Sequence, residues 1–200
     1  MEFSEVVRGR RMVRRYDGRP VDPAALDRIL EAASRAPSAG FAQGQSFVSV
    51  TDPELRRGVA GCCGEDQQVA AGRPPWVSSA PVLVVPCVRP ATYAERYAEP
   101  DKGAAGRAES WAVPFWWVDG GASLMLLLLA AVDEGLSAGF LDIADRVCLR
   151  GLLGVPDDVE PLGVVTIGYR HPDERPVGSA VRRERRNQVH SEHWGGTSRT

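Results

Sequence analysis

The apolar positions of this chain fall into short blocks that switch between a helical and an extended period. Leu26, Ile29, Leu30 and Ala33 recur at i, i+3, i+4 and i+7, the spacing of one buried helix face. That helix opens at Asp22-Pro23, an acceptor cap followed by proline at the first helical position, and ends at Arg35-Ala36-Pro37-Ser38-Ala39-Gly40. Asp52-Pro53 repeats the opening signal for a helix running through Arg57, and residues 3–10 read as a short first helix. Residues 46–50 are rich in β-formers, and residues 81–88 (PVLVVPCV) predict a strand covered on both faces. Residues 118–135 are helical in length and apolar almost all round, which places them in a core or across a subunit interface. Residues 137–143 predict a short strand, 144–153 a helix closed by Gly154 and Pro156, and 161–168 the last core strand. Between 89 and 114 the pattern weakens into an irregular, lid-like segment, and from His171 a polar, basic tail follows. Strands without regular βα alternation favour an α+β fold, in one domain over residues 1–200.

Composition narrows the function classes. At 44% hydrophobic content the 200 residues supply one real core. A formal net charge of -2 gives no electrostatic case for nucleic acid or an anionic membrane as partner. The longest apolar run, 122–132, is shorter than the ~20 residues of a membrane span. The opening MEFSEVVRGRR has no apolar stretch of signal-peptide type. Cys62, Cys63, Cys87 and Cys148 lack metal-ligand spacing, and the adjacent pair does not read as a disulfide framework. A reducing, cytoplasmic setting is therefore expected.

Two arginine clusters stand out, Arg8, Arg10, Arg11, Arg14 and Arg15 at one end and Arg182, Arg183, Arg185 and Arg186 at the other. Forked guanidinium donors match the charge and geometry of a phosphate monoester, so the clusters form a phosphate clamp if the termini meet. Otherwise they are two solvated charge runs. The loop 36–45 offers small residues, a hydroxyl and two amides to the rim of a flat heteroaromatic ring, and reads equally as a helix cap and connector. Trp111, Trp116 and Trp117 line a ligand pocket or fill a core or interface. No G-x-G-x-x-G follows a strand and no P-loop motif occurs, so neither a tightly bound dinucleotide nor a P-loop nucleotide is supported. His190 and His193 lack an accompanying ligand cluster and imply no metal, and His171 reads as a turn residue.

Four segments, in order, resemble the nitroreductase family of FMN-dependent enzymes. Arg10-Arg11-Met12-Val13-Arg14-Arg15-Tyr16 with Arg19-Pro20-Val21 resembles its R-R-S-x-R-x-[FY]…K-P-V opening. Ala36-Pro37-Ser38-Ala39-Gly40 with Gln43 is similar to its A-P-S-x-x-N-x-Q loop. The helix from Asp119 to Gly135-Leu136 resembles its long central helix ending in G-L. Leu153-Gly154-Val155-Pro156, then 161–168 with Tyr169, resembles its late signature.

The resemblance implies an intertwined homodimeric α+β sandwich, a mostly antiparallel sheet flanked by helices, with FMN in clefts lined by both subunits. On matching positions Arg10, Arg11, Met12 and Arg14 fall at the phosphate and ribityl end, with Arg183 and Arg185 completing the clamp. Pro37, Ser38, Ala39 and Gln43 run beside the ring, and Gly139 and Phe140 approach it from the other side. The implied reaction is ping-pong hydride transfer from NAD(P)H through the flavin to a nitroarene or quinone, with no protein catalytic residue and no metal. Met12 stands where the family has Ser or Thr, Phe41 where it has Asn, and Gly44 where it has Pro. Those departures keep other readings open: dehalogenation, dehydrogenation, flavin breakdown, a deazaflavin donor, or a non-catalytic flavin-binding module.

Overall fold

In the computed structural model, which describes residues 1–105, 111–174 and 189–196, one antiparallel sheet carries helices on both faces. β1 (Gln45–Val50) pairs with β2 (Val82–Val88), and β2 with β5 (Val164–Gly168). β5 pairs in turn with β3 (Ser137–Leu141), while the two-residue β4 (Glu160–Pro161) pairs with the end of β2. Leu83 and Gly139 both lie opposite Thr166, which is therefore central to the sheet and fully buried.

The period-two alternation of the strands sorts their side chains into two cores. Val82, Val84, Ala138, Phe140, Val165 and Ile167 face α2 (Pro23–Ser34) and α6 (Phe115–Asp133). Leu83, Val85, Cys87, Leu141 and Val164 face α3 (Pro53–Cys62), α7 (Arg146–Leu153) and the segment 76–80. Every residue of β2 is buried, as its unbroken apolar run predicts. α1 (Phe3–Gly9) closes on α6, where a methyl at Gly9 would lie 3.1 Å from Val132. The predicted helix starts are present as caps: Asp22 accepts from the Ala24 N–H at 3.1 Å and Asp52 from the Leu55 N–H at 2.9 Å. Each such cap contributes about 1 kcal/mol. Gly154 ends α7 with a φ of 65°, a conformation that costs a side-chain-bearing residue energy.

Three differences from the sequence reading have physical causes. The segment 89–114 is not irregular throughout: α5 (Pro90–Tyr97) and a 3-10 turn (Pro100–Ala105) form there. Its anchors are aromatic rather than aliphatic, with Tyr93 fully buried against Trp111 and Trp116 at ring separations of 6.3 and 6.2 Å. α4 (Glu65–Ala70) gave no apolar signal, because Glu65 is its one buried residue. Cys62 and Cys148, 86 residues apart, form a disulfide between the end of α3 and α7, where the sequence showed no disulfide framework. Folding creates that proximity: the Asp145 N–H donates to the Cys62 carbonyl at 2.8 Å, and no local spacing announces it.

α6 was expected to be buried or at an interface, and it is asymmetric. Asp119, Gly120, Ser123, Leu127, Leu128 and Ala131 are buried, whereas Phe115, Trp117, Val118 and Met125 are exposed. At 19 residues and a mean hydropathy of 1.7 it is long and apolar enough to cross a membrane by length and composition, unlike the shorter run within it. Yet it carries a buried carboxylate, and its inner face packs on α2 and the sheet.

Candidate functional site

The N-terminal segment after α1 lies along β3 and sets the first wall of the site. Met12 bridges Ala138 in parallel, and the Val13 N–H donates to the Ala138 carbonyl at 3.1 Å. The Tyr16 hydroxyl lies 2.7 Å from Thr166 Oγ1 and donates to the Val13 carbonyl at 3.1 Å. Burial pushes this phenol well above its usual range, so it stays a neutral donor. Close approach requires glycine at 139, where a methyl would lie 2.5 Å from the Val13 oxygen and 3.0 Å from the Trp76 ring. Arg14 and Arg15 are thereby set at the edge of a cavity of about 660 Å³. Cys63, Gln68, Arg73, Pro74, Trp76, Leu141, Asp142 and Glu174 complete its lining.

Sequence reasoning missed the far wall because a tertiary bond shapes it. The buried Glu65 carboxylate accepts from the N–H groups of Trp76 at 2.8 Å, Val77 at 2.6 Å and Ser78 at 3.2 Å. Arg56 donates to the Ser78 carbonyl at 3.1 Å and also to that of Ala80. Trp76, held by that turn, stands beneath the Arg14 guanidinium, which lies 5.6 Å from its ring centroid. The one signal available was local, the R-P-P-W stretch from Arg73 to Trp76 after Gly72.

Electrostatically the cavity is cationic with acidic edges. Arg14, Arg15 and Arg73 make no ion pair among the described residues, whereas Arg19, Arg28, Arg89, Arg96, Arg146 and Arg150 all do. Grouped guanidiniums without carboxylate partners repel one another until an anion joins them. Glu174 accepts from the Arg14 backbone N–H at 3.0 Å, and Asp142 is 3.0 Å from Arg146. Burial pushes the Cys63 thiol up to about 12, so it lines the cavity as a neutral group rather than a nucleophile.

A second cavity, about 570 Å³, shares no lining residue with the first and is walled by Ser34, Arg35, Ala36, Phe41, Gln43 and Gln45. Its loop is strained at two side-chain-bearing positions: Phe41 and Gln43 have φ of 60° and 55°, beside Gly40 at 62°, which glycine adopts freely. Hydrogen bonds fix that shape. The Ala39 N–H donates to the buried Asp119 carboxylate at 2.8 Å, and the Gln43 N–H to Ser38 Oγ at 2.9 Å. Gln45 Nε2 donates to the Pro37 carbonyl at 3.2 Å and Arg96 Nε to the Gly40 carbonyl at 2.9 Å.

The predicted site residues therefore fall into two groups on one chain. Met12, Arg14 and Gly139 come together where the N-terminal segment meets β3, and of the three only Arg14 lines the first cavity. Phe140 lines neither cavity, because its ring turns into the α2–α6 core beside Gly163. Arg10 sits at the α1 C-cap, and the Arg11 guanidinium folds onto the carbonyls of Arg8 and Arg10, so neither lines the cavity. Pro37, Ser38, Ala39 and Gln43 belong to the second group. Arg183 and Arg185 lie outside the described residues. Trp111 and Trp116 pack with Tyr93 against Ala39 and Ala42, and Trp117 is exposed. No cluster of potential metal ligands occurs among the described residues.

Comparison with known proteins identifies the family. The chain is 30% identical over 182 residues to an NADH dehydrogenase of Thermus thermophilus, covering 80% of this chain and 82% of that one. It is 30% identical over 175 residues to the FMN reductase [NAD(P)H] of Bacillus subtilis, covering 82% of this chain and 64% of that one. An FMN-dependent nitroreductase from Clostridium difficile superposes with a TM-score of 0.70 at 20% identity, over 96% of this chain and 99% of that one. The model of the Nitroreductase family matches residues 7–169, spanning the N-terminal segment, the strained loop, α6 and β5, and the chain belongs to that family.

Proposed function

We propose that the chain is an FMN-dependent homodimeric oxidoreductase that takes electrons from NAD(P)H and passes them to an electron-poor aromatic acceptor. The observation that carries this reading is the trio of guanidiniums, Arg14, Arg15 and Arg73, free of ion pairs among the described residues, round a cavity of about 660 Å³. That volume lies within the usual range for ligand pockets, about 300–1,000 Å³. A phosphate satisfies the guanidiniums, and the Trp76 and Leu141 walls suit a flat ring, so the residues fit FMN. The chemistry such a group supplies is two-electron transfer: a hydride arrives from reduced nicotinamide, and the two electrons leave with protons from solvent to a nitroarene or quinone. The protein's share is to bind, orient and exclude water. With Cys63 neutral, the cavity offers no thiolate to compete.

Pairing of two chains accounts for the separate cavities. A strained loop 37–43 from one protomer would close over the arginine-lined cavity of its partner, and the exposed Phe115, Trp117, Val118 and Met125 of α6 supply an apolar contact face. The purified protein is expected to absorb between 350 and 500 nm as a flavoprotein and to sediment as a dimer. A colourless monomer that fails to take up added FMN overturns the reading.

Glu174 supplies an internal check. Its carboxylate occupies the Arg14 N–H at the cavity edge and opposes an incoming phosphate. Glu174→Gln is expected to tighten FMN binding by about three- to tenfold, the scale of one partly solvated charge contact. Quenching of FMN fluorescence on titration measures it, and a weaker complex would show that Glu174 supports the site instead.

A further inference from the structure

Resting on the flavin reading above, we propose that Phe41 and Arg35 form the acceptor-recognition surface, selecting flat, uncharged aromatic acceptors with hydrogen-bond-accepting oxygens. Phe41 is 73% exposed although it is a large apolar ring, and its φ of 60° lies in the left-handed region where side chains other than Asn and Asp are uncommon. Neither feature favours the isolated chain, so the loop keeps them for a purpose outside its own packing. The bonds that impose them are specific: Asp119 to the Ala39 N–H, Ser38 to the Gln43 N–H, and Arg96 to the Gly40 carbonyl. The Phe41 N–H is itself tied to the Ser38 carbonyl at 2.8 Å, so the ring cannot retreat by a peptide flip without losing that bond.

The rest of the cavity defines what the ring meets. Arg35, Gln43 and Gln45 share the cavity with Phe41, and Gln45 is engaged by Pro37. Arg35 makes no ion pair among the described residues and keeps a forked donor beside the apolar ring. One aromatic face next to one cationic donor suits a molecule with a broad π-surface and edge oxygens, such as a naphthoquinone or nitroarene. It offers nothing to a small, highly charged anion beyond Coulomb attraction. Phe41 contributes no proton or electron and acts on binding alone.

The test uses the FMN-loaded protein and two probes, 2-methyl-1,4-naphthoquinone and ferricyanide. Phe41→Asn keeps the left-handed backbone comfortable and removes the ring, and Phe41→Leu keeps apolarity without aromaticity. Both variants are expected to weaken equilibrium binding of the naphthoquinone to the oxidised protein by about tenfold, read by calorimetry. In turnover the loss should appear in KM for the quinone rather than in kcat, and should exceed any change in ferricyanide reduction by at least about fivefold. Equal losses for both acceptors, unchanged quinone binding, release of FMN, or dissociation of the dimer with intact quinone binding would each overturn the proposal. Failure of the underlying reading is distinguishable, because an unaltered protein that binds no FMN shows it before any variant is made.

Discussion

Arg14→Glu is expected to yield a folded but colourless protein whose affinity for added FMN is weaker by at least about 100-fold. Two effects add. A charge-assisted hydrogen bond contributes about 1.5–3 kcal/mol, and the introduced carboxylate then repels the phosphate it faces. Arg14 is exposed and its guanidinium lies over Trp76 instead of in a buried ion pair, so the fold loses little. Its backbone N–H, which reaches Glu174, is unaffected by the side-chain change. The measurement is a fluorescence titration with FMN, with melting temperature as the control for folding. Arg14→Glu protein that purifies fully yellow would sever the link between this arginine cluster and the cofactor.

How far the sequence carried the fold depends on the range of each determinant. β2 was legible because its seven residues are buried on both faces and the run is apolar without interruption. α2 and α3 were legible because Asp22 and Asp52 serve N–H groups two and three residues away. The far wall of the arginine-lined cavity was not, because Glu65 meets Trp76, Val77 and Ser78 only after the chain has turned back on itself. The Cys62–Cys148 disulfide was hidden for the same reason, its partners being 86 residues apart. The four motifs located the family, and the family model bears that out over residues 7–169. They did not separate Arg14, which lines the cavity, from Arg11, whose guanidinium is spent on nearby carbonyls. Spacing identifies a cluster of like residues. Which of them face a cavity is decided by how residues 12–17 are pinned, Met12 and Val13 on Ala138 of β3 and residues 15–17 on residues 169–171 beyond β5.

That pinning gives the larger structural prediction. Gly139→Ala is expected to lower the melting temperature by about 4–10 °C and to abolish flavin binding in the same protein. A methyl at 139 would stand 2.5 Å from the Val13 carbonyl, 2.8 Å from Thr166 Oγ1 and 3.0 Å from the Trp76 ring. The first contact is with backbone, which cannot rotate aside, and Thr166 is fully buried at the centre of the sheet. Relief therefore requires Met12 and Val13 to lift from β3, breaking the Val13–Ala138 hydrogen bond and moving Arg14 away from Trp76. Overpacking of this kind costs about 1–3 kcal/mol. Gly151→Ala sets the scale from the other side: it lies on α7 with nothing within 4 Å of the added methyl. There the helix preference of alanine should stabilise the fold by about 1 kcal/mol and leave flavin binding untouched. If the two substitutions behave alike, the strand-to-strand approach at Gly139 does not hold Arg14 in place, and the cavity wall is set by something other than the N-terminal segment.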